Sequence, residues 1–188
     1  MKKVVVLLVV VGVALLGYLA AGPFLTVNAM RKAVEAQNSA ALSEHIDFTL
    51  LRRNLKVQVD DYLVRRAGPE VQSHPFGAIA VQIASGVAGS AVDALTTPAG
   101  VGAMMEGRGV LHRITGGGID RTDSAAHQAP RNPLEDARYG FESPSRFTAT
   151  VHDEAGDPTV FVLTREGLAW KLTDIRLPLD EREGEGEP

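Results

Sequence analysis

The sequence predicts an α+β fold, in which an N-terminal membrane helix precedes helices that pack on one face of a three- to four-stranded antiparallel sheet. Three observations indicate this fold. No residue from Val4 through Met30 is charged. Apolar residues then recur at helical spacing from Phe48 to Leu63. From Phe147 onward they alternate instead, as they do in half-buried strands.

The N-terminal apolar run is long enough to act as a membrane anchor. About 20 apolar residues are needed to cross a bilayer core of about 30 Å. A secretory signal peptide is the alternative, although its apolar region spans only about 7–15 residues. A cut after Gly22 would also place Pro23 directly after the scissile bond. We therefore expect residues 1–25 to form an uncleaved anchor that enters the membrane through residues 4–25, with a cleaved signal segment as the alternative.

Basic residues flank both ends of this run. Lys2 and Lys3 favour a cytoplasmic N-terminus, and Arg31 and Lys32 on the other side partly balance them. Because the N-terminal tail is very short, we expect the body of the protein to lie outside the cytoplasm.

A long helix is predicted to begin after Asp47, whose carboxylate can cap the first free N–H groups. At about 100° per residue, one broad apolar stripe forms along this helix and a narrow second stripe forms on the opposite side. We therefore expect the helix to pack against partners on two sides. The broad stripe contains Phe48, Leu51, Leu55, Val59, Tyr62 and Leu63, and the narrow one contains Leu50, Val57 and Val64.

The charges of this helix lie between the two stripes. Acids are interleaved with bases, and Lys56–Asp60 and Asp61–Arg65 are opposite-charge pairs four residues apart. This pattern favours a solvated helix surface. The alternative is contact with an anionic lipid or a phosphate, through Arg52, Arg53 and Lys56.

The segment from Phe76 to Met105 is a second apolar stretch, in which Asp93 is the only charged residue. Its shortage of large apolar residues and its minimal length before Pro98 argue against a second membrane span. We expect a packed helix here and keep the span as the alternative. A shorter helix is predicted to start at Thr97-Pro98, because proline is well placed in a first helical turn.

The C-terminal third is predicted to form the sheet. Strands are expected at RFTATVH, TVFVLTR and LAWKLTDI, and an edge strand is expected to start at Tyr139 and Phe141. In the last strand, alternation places Leu168, Trp170 and Leu172 on the buried face. The helices should cover this face of the sheet.

One polar segment is predicted inside the domain, and a second one follows it. Glycines and polar residues predict a flexible loop over 115–136, and acids predict a disordered tail over 179–188. The α+β domain is therefore expected to occupy residues 26–178.

The chain resembles a known family through four pieces in a fixed order. These are GPFLTVNAMRKAV, IDFTLLRRNLKVQ, a TTPAG turn and a closing GLAWKLTDIRLP. The order is similar to that of the bacterial membrane-anchored domain of unknown function family 2939, over roughly residues 18–110 and 140–178. The family brings no known activity, so the resemblance supports the boundaries of the domain and no mechanism. From the anchor and its flanking charges, we expect a single-pass protein of the bacterial inner membrane with a periplasmic body. The element order also resembles cystatin-like domains and the cone-shaped fold of nuclear transport factor two.

Several chemistries lack the residues that they need. The chain has no cysteine, which excludes disulfides, thiolate metal sites and thiol nucleophiles. None of the five histidines has an i,i+4 histidine partner for a metal, and no nucleophile elbow or dinucleotide fingerprint occurs. The net charge of −4 is carried by the tail from Asp180 to Pro188, so the near-neutral remainder argues against nucleic-acid binding. We expect no enzyme activity, no metal and no cofactor.

Two functions of different class remain. The first is a membrane-anchored interaction or scaffold module of the cell envelope, with an unidentified protein partner. The second is a small-ligand or lipid-binding module with a pocket between the sheet and the helices, near Tyr62, Phe147 and Trp170. The alternative for these three aromatic residues is ordinary core packing.

Overall fold

The computed structural model describes residues 2–73, 77–106, 134, 136–152 and 156–179. Most of the predicted loop over 115–136 and of the acidic tail over 179–188 lies outside these residues. The helices are α1 (Lys2–Glu35), α2 (Ser39–Ser43), α3 (Phe48–Ser73), α4 (Gly77–Leu95) and α5 (Pro98–Met105). The strands are β1 (Arg138–Ser143), β2 (Arg146–His152), β3 (Pro158–Glu166) and β4 (Ala169–Arg176). The predicted α+β class is confirmed.

The strands form one antiparallel sheet in the order β1-β2-β3-β4. Phe147 of β2 faces Phe141 of β1 and Leu163 of β3, and these residues share the inner face of the sheet. Tyr139 and Phe141 do belong to an edge strand, as the sequence predicts. Short turns join β1 to β2 at residues 144–145 and β3 to β4 at residues 167–168. We call the end of the sheet that carries these two turns the turn end.

Three helices begin at a capping residue, and the sequence predicts two of these starts, at Asp47 and at Thr97. Asn38 Oδ1 accepts a hydrogen bond from the amide of Ala41 at 3.0 Å, so α2 starts after a break in the chain. Asp47 Oδ1 accepts from the amides of Thr49 and Leu50, both at 3.0 Å. Thr97 caps α5, and Pro98 occupies the first turn. Each cap satisfies amides that lack a partner within the helix.

The core lies between the inner face of the sheet and helices α1, α3, α4 and α5. It joins the broad stripe of α3 to the strands, and it also includes residues near the end of α1 and in α5. The fully buried side chains include Met30, Leu51, Leu55, Val101, Met105, Phe147, Phe161, Leu163, Leu172 and Ile175. The structure therefore confirms the prediction that helices cover the apolar face of the sheet.

Only one of the two apolar stripes on α3 is buried. Leu51 and Leu55 are fully buried, but Val57 is 63% exposed and Val64 is also exposed. The narrow stripe is therefore exposed at Val57 and Val64, although α3 does pack against two elements, β4 and α4. The helix is also interrupted at Gly68, whose φ of 70° and ψ of 168° are not helical. Such a positive φ favours glycine, which has no Cβ.

Helix α1 continues across the predicted boundary at residue 25. Pro23 and Val27 are buried, so this part of the apolar run belongs to the domain. Among the described residues, no helix is long and apolar enough to cross a membrane. The predicted membrane helix therefore remains a prediction.

Helix α4 packs on α3, as the packed-helix interpretation predicts. Arg52 Nε of α3 lies 2.9 Å from Asp93 Oδ1 of α4 and 3.3 Å from Thr96 Oγ1. Val92 and Leu95 enter the core, whereas Ile83 and Val87 point to solvent.

The start of β4 differs from its prediction by one residue. The turn falls at Gly167 and Leu168, and Gly167 adopts a φ of 64°. Leu168 is therefore 67% exposed, not buried beside Trp170 and Leu172. The structure corrects the prediction for Leu168 only.

Candidate functional site

Five aromatic side chains of the described residues form a cluster where α1 crosses the sheet. Phe24 of α1 lies with its ring centroid 4.7 Å from that of Phe147 and 6.2 Å from that of Phe141. Phe141 in turn lies 4.9 Å from Phe147 and 6.2 Å from Trp170, and these rings meet edge to face. Tyr139 completes the cluster beside Phe24 at 6.0 Å. Edge-to-face pairs at such distances stabilise beyond the area that they bury.

A close approach of α1 to Trp170 fixes the cluster. A Cβ added to Gly22 would stand 2.7 Å from both Cδ1 and Nε1 of the indole, so glycine is required at this contact. Trp170 is only 4% exposed, and its Nε1 has no hydrogen-bond partner among the described residues. A buried N–H without a partner destabilises the folded state by about 1–3 kcal/mol. The packing of the indole must therefore stabilise the folded state by more than this.

The cluster is buried on one side and open on the other. Phe147 and Trp170 are buried, whereas Phe24, Tyr139 and Phe141 are each a little under half exposed. Burial raises the pKa of the Tyr139 hydroxyl, and the positive charge of Arg31 opposes that rise. The exposed parts of these rings are apolar, and Leu168 adds a further exposed apolar side chain at the turn end of the sheet.

Basic side chains lie at the same end. Arg146 and Lys171 both pair with Thr164 of β3, so they flank it on the outer face of the sheet. Arg165 pairs with Trp170 on the next rung. Two acids lie there: Glu166 is exposed, and Glu142 binds Arg176 and lies 3.9 Å from Arg146. The turn end therefore carries more positive than negative side chains.

An ion pair joins the two edge strands, β1 and β4, across the outer face of the sheet, which is the face that points away from the helices. Arg176 of β4 donates to both carboxylate oxygens of Glu142 of β1, at 2.6 and 3.0 Å. This hydrogen bond holds the pKa of Glu142 below its ordinary value. Asp174 lies on the same face, and its burial raises its pKa, while the neighbouring Arg176 opposes that shift. Val162 is buried on the outer face of the sheet, between these strands.

Polar side chains of α3 form hydrogen bonds with backbone groups along the free edge of β4 and just after it. Asn54 Nδ2 donates to the carbonyl of Thr173 at 3.0 Å, and Gln58 Nε2 donates to that of Ile175 at 3.1 Å. Gln58 Oε1 accepts from the amide of Leu177 at 2.9 Å. An uncovered edge strand invites pairing with other chains, so these side chains protect β4. Sequence analysis missed this role, because spacing along α3 does not show which strand edge it will meet.

The three basic residues predicted as an anion contact are not equivalent. Arg52 is engaged by Asp93, whereas Arg53 and Lys56 are exposed on α3. The predicted Asp61–Arg65 pair forms at 3.1 Å, and no ion pair joins Lys56 to Asp60 in the described part of the chain. The basic side chains of α3 therefore do not converge on one point, and their contact with an anion remains a prediction.

The predicted aromatic site divides into two places. Phe147 and Trp170 both contact Phe141 in the cluster, but Tyr62 lies on α3, where Arg66 donates to its hydroxyl and lies over its ring. A groove of about 270 Å³ opens elsewhere, between the end of α1, α2 and α5. None of the three predicted residues lines it; its lining includes Gln37, Asn38, Ser39 and Glu106.

Within the described ranges, no three His, Asp or Glu side chains are grouped so that they could hold a metal ion. His45 contributes its backbone carbonyl, which accepts from the amide of Leu172 at 2.9 Å. His152 lies at the exposed end of β2. The other three histidines fall outside the described residues.

Comparison with known proteins identifies the class of this domain. Residues 12–104 match the family model described as "Protein of unknown function (DUF2939)". The chain belongs to this family through these residues, which confirms the family predicted from the sequence. The match does not extend over the predicted second segment, 140–178. No curated protein and no solved structure matches the chain.

Proposed function

We propose that the chain is a membrane-anchored, non-catalytic interaction module of the cell envelope, held in the bilayer by the first half of α1. The uncharged run from Val4 through Met30 supports a bilayer as its surroundings. The short tail with Lys2 and Lys3 supports a cytoplasmic N-terminus and a periplasmic body in the bacterial inner membrane.

The observation that carries this proposal is the exposure of large apolar side chains along the first half of α1. Val4, Val6, Leu7 and Val10 are all exposed. A Cβ added to Gly12 or Gly17 would meet no atom within 4 Å, so the domain does not cover these positions. Covering each such Val or Leu would contribute about 1.5–3 kcal/mol, which a lipid environment supplies.

The contact at Gly22 supports retention of this segment. A signal cleavage after Gly22 would remove the glycine that packs on Trp170 and would free the end of the helix at the buried Pro23. An uncleaved anchor keeps both contacts.

Exposed apolar side chains on the body support interaction as its role. Val57 on α3 and Ile83 and Val87 on α4 are exposed, and such residues are candidates for contact with another molecule. A small-ligand pocket between sheet and helices has less support, because Phe147 and Trp170 pack against neighbouring rings and Phe147 is fully buried. The groove beside α5 is a candidate for a ligand within the part of the chain that the structure describes.

Membrane fractionation tests the proposal. The full chain should stay in the membrane pellet after washing at high pH, and a variant lacking residues 4–17 should become extractable while its body stays folded. N-terminal sequencing of the mature protein should begin upstream of Gly22. A full chain that is released by the wash, or a mature chain that starts near Pro23, would contradict the proposal.

A further inference from the structure

We propose that the turn end of the sheet rests in the headgroup region of the bilayer, so that its apolar side chains meet lipid and its basic side chains meet lipid phosphates. This inference rests on the proposed membrane attachment of α1. It adds a second contact between the body and the same membrane, and with it a fixed orientation of the domain.

The path of α1 is the first support. Gly22 and Phe24 contact Trp170, Phe147 and Phe141, and each of these three residues lies two or three positions from one of the turns. Upstream of this point, Gly17 and Gly12 have no neighbour within 4 Å of an added Cβ. The helix therefore leaves the domain at the turn end.

The length of α1 indicates where the turn end lies relative to the bilayer core. At about 1.5 Å per residue, the 20 steps from Val4 to Phe24 span about 30 Å. The hydrocarbon core of a bilayer is also about 30 Å thick. Because α1 is one continuous helix from Lys2 to Glu35, a helix that crosses the core from Val4 brings Phe24 and the turn end to its far boundary.

The side chains at this end suit that boundary. Phe141 and Phe24 are partly exposed rings at this end, and Leu168 extends from the turn with 67% of its surface exposed. Tyr139 is a third partly exposed ring, further from the turn along β1. Aromatic side chains are enriched at both membrane–water interfaces, where one side is apolar and the other is wet. Without lipid, the exposed parts of these rings would remain in contact with water.

Charge favours lipid over other occupants of this surface. Arg146, Arg165 and Lys171 lie within three rungs of the turns, together with the acids Glu166 and Glu142. Glu142 binds Arg176 and also lies 3.9 Å from Arg146, so the bases there still outnumber the acids. A surface that combines aromatic and leucine side chains with a basic rim matches the interface of an anionic bilayer.

The sole tryptophan of the chain, Trp170, reports on this contact directly. The full chain is reconstituted in phosphatidylcholine liposomes with and without phosphatidylglycerol, using lipids brominated either near the headgroup or near the chain end. Because Trp170 touches both Phe141 and α1, its fluorescence should be quenched more by the shallow bromines than by the deep ones. The shallow quenching should be stronger when phosphatidylglycerol is present.

Matched variants separate a lipid contact from mere proximity. Leu168→Asp should abolish the shallow quenching, whereas Ile83→Asp, at a residue of similar exposure on α4, should leave it unchanged. A double variant, Arg146→Gln with Lys171→Gln, should remove the dependence on phosphatidylglycerol. Thermal unfolding of each variant confirms that the body is folded.

The possible outcomes test the lipid contact of the turn end separately from the membrane anchor in α1. If the chain floats with the liposomes but neither brominated lipid quenches Trp170, the turn end does not contact lipid. The membrane anchor would still be supported. Equal effects of Leu168→Asp and Ile83→Asp would also overturn it. A chain that does not float with liposomes at all would contradict the anchor and, with it, the inference.

Discussion

Gly22 lies so close to Trp170 that a single added carbon would stand 2.7 Å from two atoms of the indole. This contact joins α1 to the second residue of β4. It attaches the N-terminal helix to the sheet, so the helix is not a separate anchor. Next to it, Phe24 inserts its ring against Phe147. The two contacts mark the place where the helix enters the domain.

Gly22→Ala should therefore destabilise the domain. The methyl group forces the indole or the helix to shift, and such overpacking costs about 1–3 kcal/mol. Gly17→Ala is the matched control, because its Cβ meets nothing within 4 Å and alanine favours a helix by about 1 kcal/mol. Chemical unfolding followed by Trp170 fluorescence measures both. Equal stability of the two variants would mean that α1 does not press on Trp170.

Gln58→Ala should remove the protection of the β4 edge. It deletes one donor and one acceptor that serve Ile175 and Leu177, at about 0.5–1.5 kcal/mol for each hydrogen bond. Lys56→Gln, two residues away on the exposed side, should change stability by less than about 0.5 kcal/mol. Urea unfolding gives the free energies, and amide exchange at Leu177 should rise in Gln58→Ala alone. No change in that exchange rate would show that Gln58 does not cap the strand.

Val57→Asp should be nearly harmless, because this side chain is 63% exposed and the new carboxylate stays in water. Leu55→Ala, on the buried stripe of the same helix, should cost about 2–5 kcal/mol. Circular dichroism melts compare the two variants. A severe loss of stability in Val57→Asp would mean that a partner covers this face of α3.

Glu142→Gln should weaken the domain at neutral pH and not in acid. Hydrogen bonding from Arg176 lowers the pKa of Glu142 in the folded state, so its stabilising contribution is present above the unfolded pKa and is lost as the pH falls through the folded one. Because the pair is partly exposed, the difference at pH 7 should be at most about 1 kcal/mol. Melts of wild type and variant at pH 7 and in acid test this, with Glu166→Gln as the control. A difference that persists in acid would contradict the ionic origin.

Local signals in the sequence were sufficient for much of the fold. Asn38, Asp47 and Thr97 cap helices because a short side-chain oxygen and a following helical pattern are both visible in the chain. The strands followed from alternation, and Tyr139 and Phe141 were correctly placed in an edge strand. These features depend on neighbours within a few residues.

Features that depend on distant partners could not be predicted in the same way. Periodicity shows that Val57 lies on an apolar stripe, but it does not show whether another element faces that stripe. An apolar run such as the one around Phe24 has the same composition whether lipid or a protein core surrounds it, so its core contacts went unrecognised. The position of Leu168 depended on a turn at Gly167, one residue later than alternation indicated.

Spin-label accessibility tests the central claim, that the first half of α1 lies in lipid while the body stays in water. The chain has no cysteine, so Val10→Cys and Val57→Cys each give one labelling site, and both side chains are exposed. In liposomes, a label at residue 10 should be accessible to oxygen and shielded from a water-soluble nickel complex. The label at residue 57 should show the reverse. Equal access of the nickel complex to both labels would contradict the account.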